Sequence, residues 1–301
     1  MFFFKLFKIL KFIVEHPLNK GRKIKSLIRF ISWQILSRIF YNKKKFKWID
    51  GSKLIAYRGE SAITGNLYTG ILELNDMGFL LHFLDPKDVF VDVGANSGAY
   101  TVLASKVIGS KSISIEPIEK SLKRIKEHLE INNIEHLVDL HNCGIGKEEG
   151  KLFFTNDNDS TNHVVFESLD KHTSLCKIKT LNSLLNKKNS YVLKIDTEGF
   201  EYNVLKGADK ILNRGDVIAL IIELNGSGKS YGFTDNDVHI KLLSYGYFPI
   251  HYNPFLKTIE KNNLIKFDSS NVIYIKDINQ AKLRCAKSKS KIIHAAYNAR
   301  I

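Results

Sequence analysis

The stretch Val91-Asp92-Val93-Gly94-Ala95-Asn96-Ser97-Gly98 decides the predicted fold, because a β-rich run ends there in a glycine-rich turn. A helical pattern follows directly, over Tyr100–Ile108. Glycines allow a tight turn from strand to helix and let the backbone approach a ligand closely. The Gly-x-x-x-Gly spacing differs from the Gly-x-Gly-x-x-Gly of dinucleotide-binding proteins. The stretch therefore predicts a strand–turn–helix unit whose turn binds a ligand other than a dinucleotide.

The alternation of strands and helices continues along the chain. Predicted strands are Val89–Val93, Ser112–Glu116, Leu137–Asn142, Tyr191–Asp196, Val217–Leu224, Tyr247–Tyr252 and Val272–Lys276. Predicted helices are Tyr100–Ile108, Glu119–Ile131, Leu181–Asn186, Phe200–Asn213 and Thr234–Tyr245. Several of these strands carry few charges, as expected for a parallel sheet covered on both faces. The pattern predicts an α/β fold with a Rossmann-like, doubly wound, mostly parallel sheet.

The sequence predicts three segments along the chain. Residues 1–47 form a basic amphipathic helical arm, residues 48–280 the main domain and residues 281–301 a basic C-terminal tail. Within the domain, the alternation around Asp50-Gly51 predicts a hairpin over Lys47–Tyr57. Residues 144–180 read as an insertion, with a hairpin (Leu152–Thr155 and Lys177–Thr180) and a polar loop (Asn156–Asn162).

The net charge of +14 is concentrated at the two ends of the chain. Residues 1–47 carry a net +12 and residues 281–301 a net +6, which leaves the body mildly acidic. A nucleic-acid groove across the fold needs cations around the site itself, so we expect no nucleic-acid partner. The three cysteines are widely spaced and form no Cys-x-x-Cys, which disfavours a disulfide framework or a zinc site. A reducing, cytoplasmic location is the expectation.

The N-terminal arm interleaves apolar and basic residues. The run Phe2–Val14 contains three lysines, so it is a poor spanning helix, and it lacks the features of a signal peptide. After a break at Pro17 and Gly21, a second basic helix pattern runs over residues 24–40. The favoured interpretation is a pair of in-plane helices, peripheral on the anionic inner face of a membrane. The alternative is an arm packed on the domain or on a second subunit of a homo-oligomer.

Residues at the ends of the first three strands are candidates for ligand binding, because ligands of doubly wound sheets lie beyond the carboxyl ends of the strands. Asp92 can accept hydrogen bonds from loop amides or from a ligand amine. Glu116, which ends the second strand, can accept hydrogen bonds from both hydroxyls of a ribose. Asn142 and Cys143 end the third strand, near the expected place of an adenine ring. Together these positions predict a ligand that carries adenosine.

Acidic residues end the next two strands. Lys194 and Asp196 share one face by the two-residue period, and Glu198 follows at the turn. Glu223 and Asn225 lie at the end of the fifth strand. Because buried acids are costly unless they are paired, this cluster predicts a functional centre.

At these residues the sequence resembles the FkbM family of S-adenosylmethionine (SAM)-dependent methyltransferases. The resemblance implies a class I methyltransferase fold, with a seven-stranded sheet whose last strand is antiparallel, and methylation usually at oxygen. By position, it implies that Asp92, Gly94, Ala95, Asn96, Gly98 and Glu116 hold SAM. It also implies that Asp196 and Glu198 lie where methyl donor and acceptor meet. The matching elements are Val91–Gly98, Glu116-Pro117, Lys194–Glu201 and Val204–Ala208.

A hydroxyl acceptor needs a base or a metal to lose its proton. The preferred hypothesis makes Asp196 or Glu198 the base. His163, in the inserted loop, is a second candidate. A third, which we do not favour, has Asp196, Glu223 and Asn225 ligate Mg²⁺, so the prediction is no metal site.

The expected acceptor is a hydroxyl of a saccharide or glycoconjugate. Four aromatic side chains are candidates for a platform on which a sugar stacks, namely Tyr231, Phe233, His251 and Tyr252, although such side chains are more often part of a core. Two other classes of function stay open. A nicotinamide-dependent oxidoreductase would share the fold, but it would be expected to contain the Gly-x-Gly-x-x-Gly pattern that this sequence lacks. A non-catalytic membrane scaffold would not need the acid cluster.

Overall fold

The computed structural model describes residues 2–156, 161–167, 172–185, 188–262 and 270–301. The chain divides into two compact units, one formed by Met1–Leu74 with Ser290–Ile301 and the other by Asn75–Lys289. These boundaries differ from those expected at residues 47 and 281. The first unit takes in the hairpin and the following helix, and it includes the last part of the predicted tail.

The described part of the first unit contains three α-helices, a hairpin and a second antiparallel strand pair, Ile292–Ile293 with Ala299–Arg300. Its helices are α1 (Phe2–Glu15), α2 (Lys23–Ile39) and α3 (Ser61–Thr69). A 3₁₀ turn at Pro17–Asn19 separates α1 from α2, where the sequence predicts a break. Strands β1 (Lys43–Lys47) and β2 (Lys53–Tyr57) are antiparallel and enclose the turn at Asp50-Gly51, so the hairpin prediction is confirmed. No helix in the described part of the chain is long and apolar enough to cross a membrane.

The end of the chain is folded into this first unit. The amide of His294 donates at 2.7 Å to the carbonyl oxygen of Trp48, which is fully buried. Arg29 donates to the carbonyl oxygen of Ala295, and its guanidinium lies 4.2 Å from the ring centroid of Tyr297. Residues 290–301 therefore contribute to a packed core instead of forming a free cationic tail.

The second unit is built on an eight-stranded sheet. Its strands in chain order are β3 (Val89–Val93), β4 (Lys111–Ile115), β5 (Val138–His141), β10 (Tyr191–Ile195), β11 (Val217–Leu224), β12 (Phe248–Asn253), β13 (Thr258–Lys261) and β14 (Ser270–Ile275). Their order across the sheet is β13-β12-β14-β11-β10-β3-β4-β5. The five strands from β11 to β5 are parallel, and β14 is antiparallel to both of its neighbours. The predicted doubly wound, mostly parallel sheet with an antiparallel last strand is confirmed.

The expected seven strands are joined by an eighth at one edge. Strand β13 forms an antiparallel hairpin with β12. Asn253 closes the turn between them by accepting hydrogen bonds from the amides of Phe255 and Leu256, at 3.0 and 3.1 Å. Lys257 adopts the left-handed region with φ 54°, so the chain reverses and pairs with the strand it has just left.

The insertion is a separate four-stranded sheet. Its strands are β6 (Gly144–Ile145), β7 (Gly150–Thr155), β8 (Val164–Val165) and β9 (Thr173–Lys179), in the order β6-β9-β7-β8. Strands β7 and β9 pair antiparallel where the hairpin was predicted, but β8 lies between them in the chain and both strands begin earlier than predicted. Part of the predicted polar loop, residues 157–160, lies outside the described residues.

Helices alternate with the strands of the large sheet along the chain. They are α4 (Leu74–Phe83), α5 (Ala99–Val102, continued by a π-helix over Leu103–Ile108), α6 (Glu119–Asn132), α7 (Leu181–Leu184), α8 (Glu201–Lys206), α9 (Asp209–Arg214), α10 (Asp235–Ser244) and α11 (Ile278–Lys287). The prediction of a single helix over residues 200–213 is wrong, because the helix is interrupted at Gly207-Ala208, between α8 and α9. A Cβ at Gly207 would lie 2.1 Å from the carbonyl oxygen of Gly146, so this close approach needs a glycine.

Candidate active site

The glycine turn after β3 is held tightly against the end of β10. Gly94 and Gly98 both have φ 77°, and Asn96 has φ 50°. A Cβ at Gly94 would lie 1.8 Å from the carbonyl oxygen of Asp196, so only glycine fits there. The amides of Gly94 and Ala95 donate to the carbonyl oxygen of Ile115, at 3.0 and 3.1 Å. The turn is therefore fixed to both neighbouring strands.

Asp92 is buried beneath this turn. Its Oδ2 accepts a hydrogen bond of 2.7 Å from the hydroxyl of Thr101 in α5, so the carboxylate ties the strand to the helix that follows the turn. Burial raises the pKa of Asp92 to about 6, and the nearby Lys194 ammonium opposes this shift. Asp92 thus stabilises the turn by joining the strand before it to the helix after it.

Glu116 binds the glycine turn from the second strand. Its Oε2 accepts from the amide of Asn96 at 2.8 Å, and its Oε1 accepts from the amide of Ile118 at 2.9 Å. Burial raises the pKa of Glu116 to about 7, against the effect of these two hydrogen bonds. Each carboxylate oxygen can accept a second hydrogen bond. The arrangement is compatible with two further donors, such as a pair of hydroxyls.

Asn142 and Cys143 have different surroundings at the end of β5. The Asn142 amide donates to the carbonyl oxygens of Glu116 and Pro117, at 3.1 and 3.0 Å, and so supports the segment after β4. Cys143 is buried in the apolar core with Ile115 and Ile145, and burial raises the pKa of its thiol. Asn142 therefore contacts the candidate site, whereas Cys143 packs behind it.

Three acids converge at the ends of β10 and β11. Asp196, Glu198 and Glu223 each offer a carboxylate oxygen, and these oxygens lie within 4.8 Å of one another. Buried Lys194 donates from Nζ to Oδ2 of Asp196 at 2.5 Å. The same ammonium lies 4.9 Å from the ring centroid of Tyr100. The predicted cluster of Lys194, Asp196 and Glu198 is thus present, and it includes Glu223.

The electrostatics of the cluster favour bound protons. Burial and the neighbouring Asp196 and Glu201 raise the pKa of Glu198 to about 7, while a hydrogen bond from Asn225 acts in the opposite direction. The pKa of Glu223 is also raised, first by burial and then by repulsion from Asp196 and Glu198. Its Oε2 is buried and has no hydrogen-bond partner among the described residues. Like charges this close cannot all stay ionised at neutral pH unless a cation binds.

Glu201 positions the turn that carries Glu198, a role that the sequence did not indicate. Its Oε1 accepts from the amide and the hydroxyl of Thr197, at 2.8 and 2.9 Å, and from the amide of Gly199 at 3.2 Å. This holds Glu198 at φ 53°, in the left-handed region. The available signal was an acid in the first turn of a helix, where carboxylates bind exposed amides.

His163 lies in the segment before β8. Its amide donates to the hydroxyl of Thr155, and its Nδ1 lies 3.0 Å from the carbonyl oxygen of Thr161. It is not a member of the acid group formed by Asp196, Glu198 and Glu223.

The four aromatic residues belong to separate contacts. Tyr231 donates to the carbonyl oxygen of Val164 at 2.7 Å and packs edge-on against Phe200. Phe233 stacks on Tyr202, with 4.2 Å between ring centroids. Tyr252 is a core residue, whereas His251 is exposed. The common sugar platform suggested by the sequence is therefore not assembled in this structure.

Comparison with known proteins points to one family. A family model described as "Methyltransferase FkbM domain" matches residues 92–249. A curated protein named Methyltransferase 1, from Beauveria bassiana (strain ARSEF 2860), is 29% identical over 152 residues, which is 41% of this chain and 60% of that protein. The chain thus spans less than two thirds of the length of this relative.

Two methylases are among the solved structures to which the chain is similar. An rRNA methylase from Streptococcus thermophilus has 15% sequence identity and a TM-score of 0.38, covering 66% of this chain and 91% of that one. The tRNA (uracil-54, C5)-methyltransferase of Pyrococcus abyssi, in complex with S-adenosyl-L-homocysteine (SAH), has 9% identity and a TM-score of 0.44, covering 78% and 44%. Since the family model matches more than half of the chain, the protein belongs to the FkbM methyltransferase family.

Proposed function

We propose that the protein transfers a methyl group from SAM to a hydroxyl oxygen of a saccharide or glycoconjugate. The observation that carries this proposal is the convergence of Asp196, Glu198 and Glu223 at the ends of β10 and β11, of which β10 is next to the strand that leads into the glycine turn. Membership of a methyltransferase family supports the methyl transfer. A cluster of proton-accepting groups supports oxygen as the acceptor atom, because a hydroxyl must lose a proton when it is methylated.

The glycine turn and Glu116 fit SAM. Gly94 has no room for a Cβ, and Glu116 keeps one free acceptor position on each oxygen, which suits the two hydroxyls of a ribose. The residues that would hold SAM are Gly94, Ala95, Asn96, Gly98 and Glu116, with Asp92 and Asn142 supporting them. When bound, SAM supplies a methyl group on a sulfonium, which is transferred by an in-line displacement.

Glu198 is the favoured base between the two carboxylates considered. Lys194 already donates to Asp196 at 2.5 Å, so Asp196 is engaged. The pKa of Glu198 is raised to about 7, close to the pH at which a general base is most effective. Glu198 would accept the proton that the acceptor hydroxyl loses as the hydroxyl oxygen bonds to the methyl carbon, while the methyl–sulfur bond breaks and SAH leaves. Asp196 orients the cluster and balances the charge of Lys194.

Two variants test this assignment. Glu198→Gln should abolish turnover while SAH affinity stays within a few-fold of that of the wild type. Asp196→Asn should also lose turnover, since it removes the carboxylate to which the buried Lys194 donates at 2.5 Å. If both variants stay active and His163→Ala does not, the base is His163. Loss of wild-type activity on chelation, with recovery on adding Mg²⁺, would favour the metal hypothesis instead.

The acceptor is tested in cells. Surface glycans from cells with and without the protein are compared by mass spectrometry, and we expect a difference of one methylene group on a sugar residue. A glycan profile that does not change, together with methylation of another small molecule, would overturn the saccharide proposal but leave methyl transfer in place. Absence of any selective SAM or SAH binding would favour the non-catalytic scaffold.

A further inference from the structure

Helix α2 exposes a continuous stripe of isoleucines, which we call the isoleucine stripe. Successive members are three or four residues apart, so all five lie on one face of the helix. Each is at least half exposed, with exposed fractions from 50% to 74%. The stripe consists of Ile24, Ile28, Ile31, Ile35 and Ile39. A contiguous exposed apolar face of this kind marks a surface that binds another molecule.

The opposite face of α2 is the one that packs against the first unit. Phe30 and Trp33 are buried there, and Ser26 and Ser37 are buried beside them. The Phe30 ring contacts Tyr68 edge-on, with 5.1 Å between centroids. The helix has therefore satisfied its packing within the unit without using the isoleucine stripe. The stripe is available to a partner from outside the unit.

The surroundings of the stripe are cationic. Lys25 and Arg38 are exposed at its two edges, and the exposed Lys43, Lys44 and Lys45 follow α2 along the chain. The one acidic residue within residues 1–47, Glu15, lies 4.0 Å from Lys11 as an i,i+4 ion pair. Apolar side chains with basic residues at their edges complement an anionic lipid surface, where lysines and arginines lie at the level of the headgroups.

A second copy of the chain is a less suitable occupant. In a two-fold dimer the same patch meets itself, so the basic edge of one copy faces the basic edge of the other. Juxtaposed like charges oppose association. An anionic bilayer satisfies both the apolar and the cationic parts of the surface.

We propose that α2 lies in the plane of an anionic lipid bilayer, with the isoleucine stripe inserted at the boundary between headgroups and acyl chains. The inference concerns the first unit alone and does not depend on the methyl transfer proposed above. It assigns the apolar contact to five named residues, with Lys25 and Arg38 supplying part of the electrostatic attraction.

The test measures co-sedimentation of the full chain with vesicles. Phosphatidylcholine vesicles that contain phosphatidylglycerol are compared with vesicles of phosphatidylcholine alone. The triple variant Ile28→Gln, Ile31→Gln, Ile35→Gln removes the middle of the stripe but keeps residues of good helix propensity. The matched control, Ile240→Gln, Leu243→Gln, Leu283→Gln, replaces three similarly exposed side chains on α10 and α11. A charge variant, Lys25→Glu, Arg38→Glu, tests the edges.

We expect the wild type and the matched control to pellet with anionic vesicles and to stay in solution with neutral ones. The isoleucine variant should bind at least about tenfold more weakly, because shielding even part of three isoleucines exceeds the roughly 1.4 kcal/mol that a tenfold change represents. The charge variant should bind anionic vesicles more weakly than the wild type. This difference in affinity should shrink as salt rises from about 0.1 M to about 1 M, where the screening length falls to about 3 Å.

Three results would overturn the proposal. The wild type could stay in solution with anionic vesicles at low salt. The isoleucine variant could pellet as well as the matched control while its thermal unfolding is unchanged. The wild type could form a dimer that the isoleucine variant dissociates, without any effect of vesicles, which would identify a second copy as the occupant.

Discussion

Replacing Gly94 by alanine should damage the candidate site more than the same change at another glycine with positive φ. At Gly94 the new Cβ would lie 1.8 Å from the carbonyl oxygen of Asp196, so the ends of β3 and β10 must move apart. At Gly109 the φ of 86° is similar, but no atom lies within 4 Å of the new Cβ. Gly109→Ala therefore measures the cost of the backbone conformation alone.

The expected magnitudes follow from these two terms. The left-handed conformation costs a non-glycine residue about 1–2 kcal/mol. Forcing an atom into a packed position costs about a further 1–3 kcal/mol. Gly109→Ala should thus lower the free energy of unfolding by about 1–2 kcal/mol, and Gly94→Ala by about 2–5 kcal/mol. Gly94→Ala should also weaken SAH binding, since Asp196 and the turn lose their present spacing.

The assay is urea unfolding followed by far-ultraviolet circular dichroism, with SAH affinity measured by calorimetry. Tryptophan fluorescence is unsuitable, because Trp33 and Trp48 both lie in the first unit. Equal losses of stability for Gly94→Ala and Gly109→Ala, with SAH affinity unchanged in both, would refute the close contact between the glycine turn and β10.

Three further predictions concern carboxylates. Glu116→Ala should weaken SAM binding by about 1.5–3 kcal/mol, the range for hydrogen bonds to charged groups, whereas the exposed Glu119→Ala should not; equal affinities in both variants would remove Glu116 from the site. Turnover should rise with pH through about 7, the pKa of Glu198, because the base must be ionised; a pH-independent rate across this range would exclude Glu198. Burial raises the folded-state pKa of Asp92, Glu116 and Glu201 to about 6–7, so their contribution to stability is present at low pH and is lost as pH rises through that range. The urea midpoint of the wild type should therefore fall relative to that of Glu201→Gln as pH rises through about 7, and a difference that is constant with pH would contradict this prediction.

The strands and the glycine turn could be predicted from local pattern alone. Val89–Val93 and Val217–Leu224 were predicted with the observed bounds, because apolar runs between polar turns define buried parallel strands. The same logic placed Asp196 and Glu223 at neighbouring strand ends. Parallel strands bring their carboxyl ends to one edge of the sheet, so their proximity follows from the fold class.

Other features depend on contacts that the local sequence does not show. The break at Gly207 comes from the approach of Gly146, which is remote in the chain, whereas residues 200–213 taken alone have helical periodicity. The fold of the C-terminal segment depends on pairs such as Arg284 with Asp88, at 2.5 Å, which the count of basic residues did not reveal. Glu201 was missed because its partners, Thr197 and Gly199, take on their geometry only in the folded turn.

The central claim is that the glycine turn and Glu116 form a SAM site in a methyltransferase. The most direct measurement is a calorimetric titration of the purified full chain with SAH, with NAD⁺ titrated in parallel. The account predicts saturable binding of SAH to one site per chain, weakened in Glu116→Ala, and no comparable binding of NAD⁺. A folded chain that binds neither SAH nor SAM, or that binds NAD⁺ in preference, would contradict it.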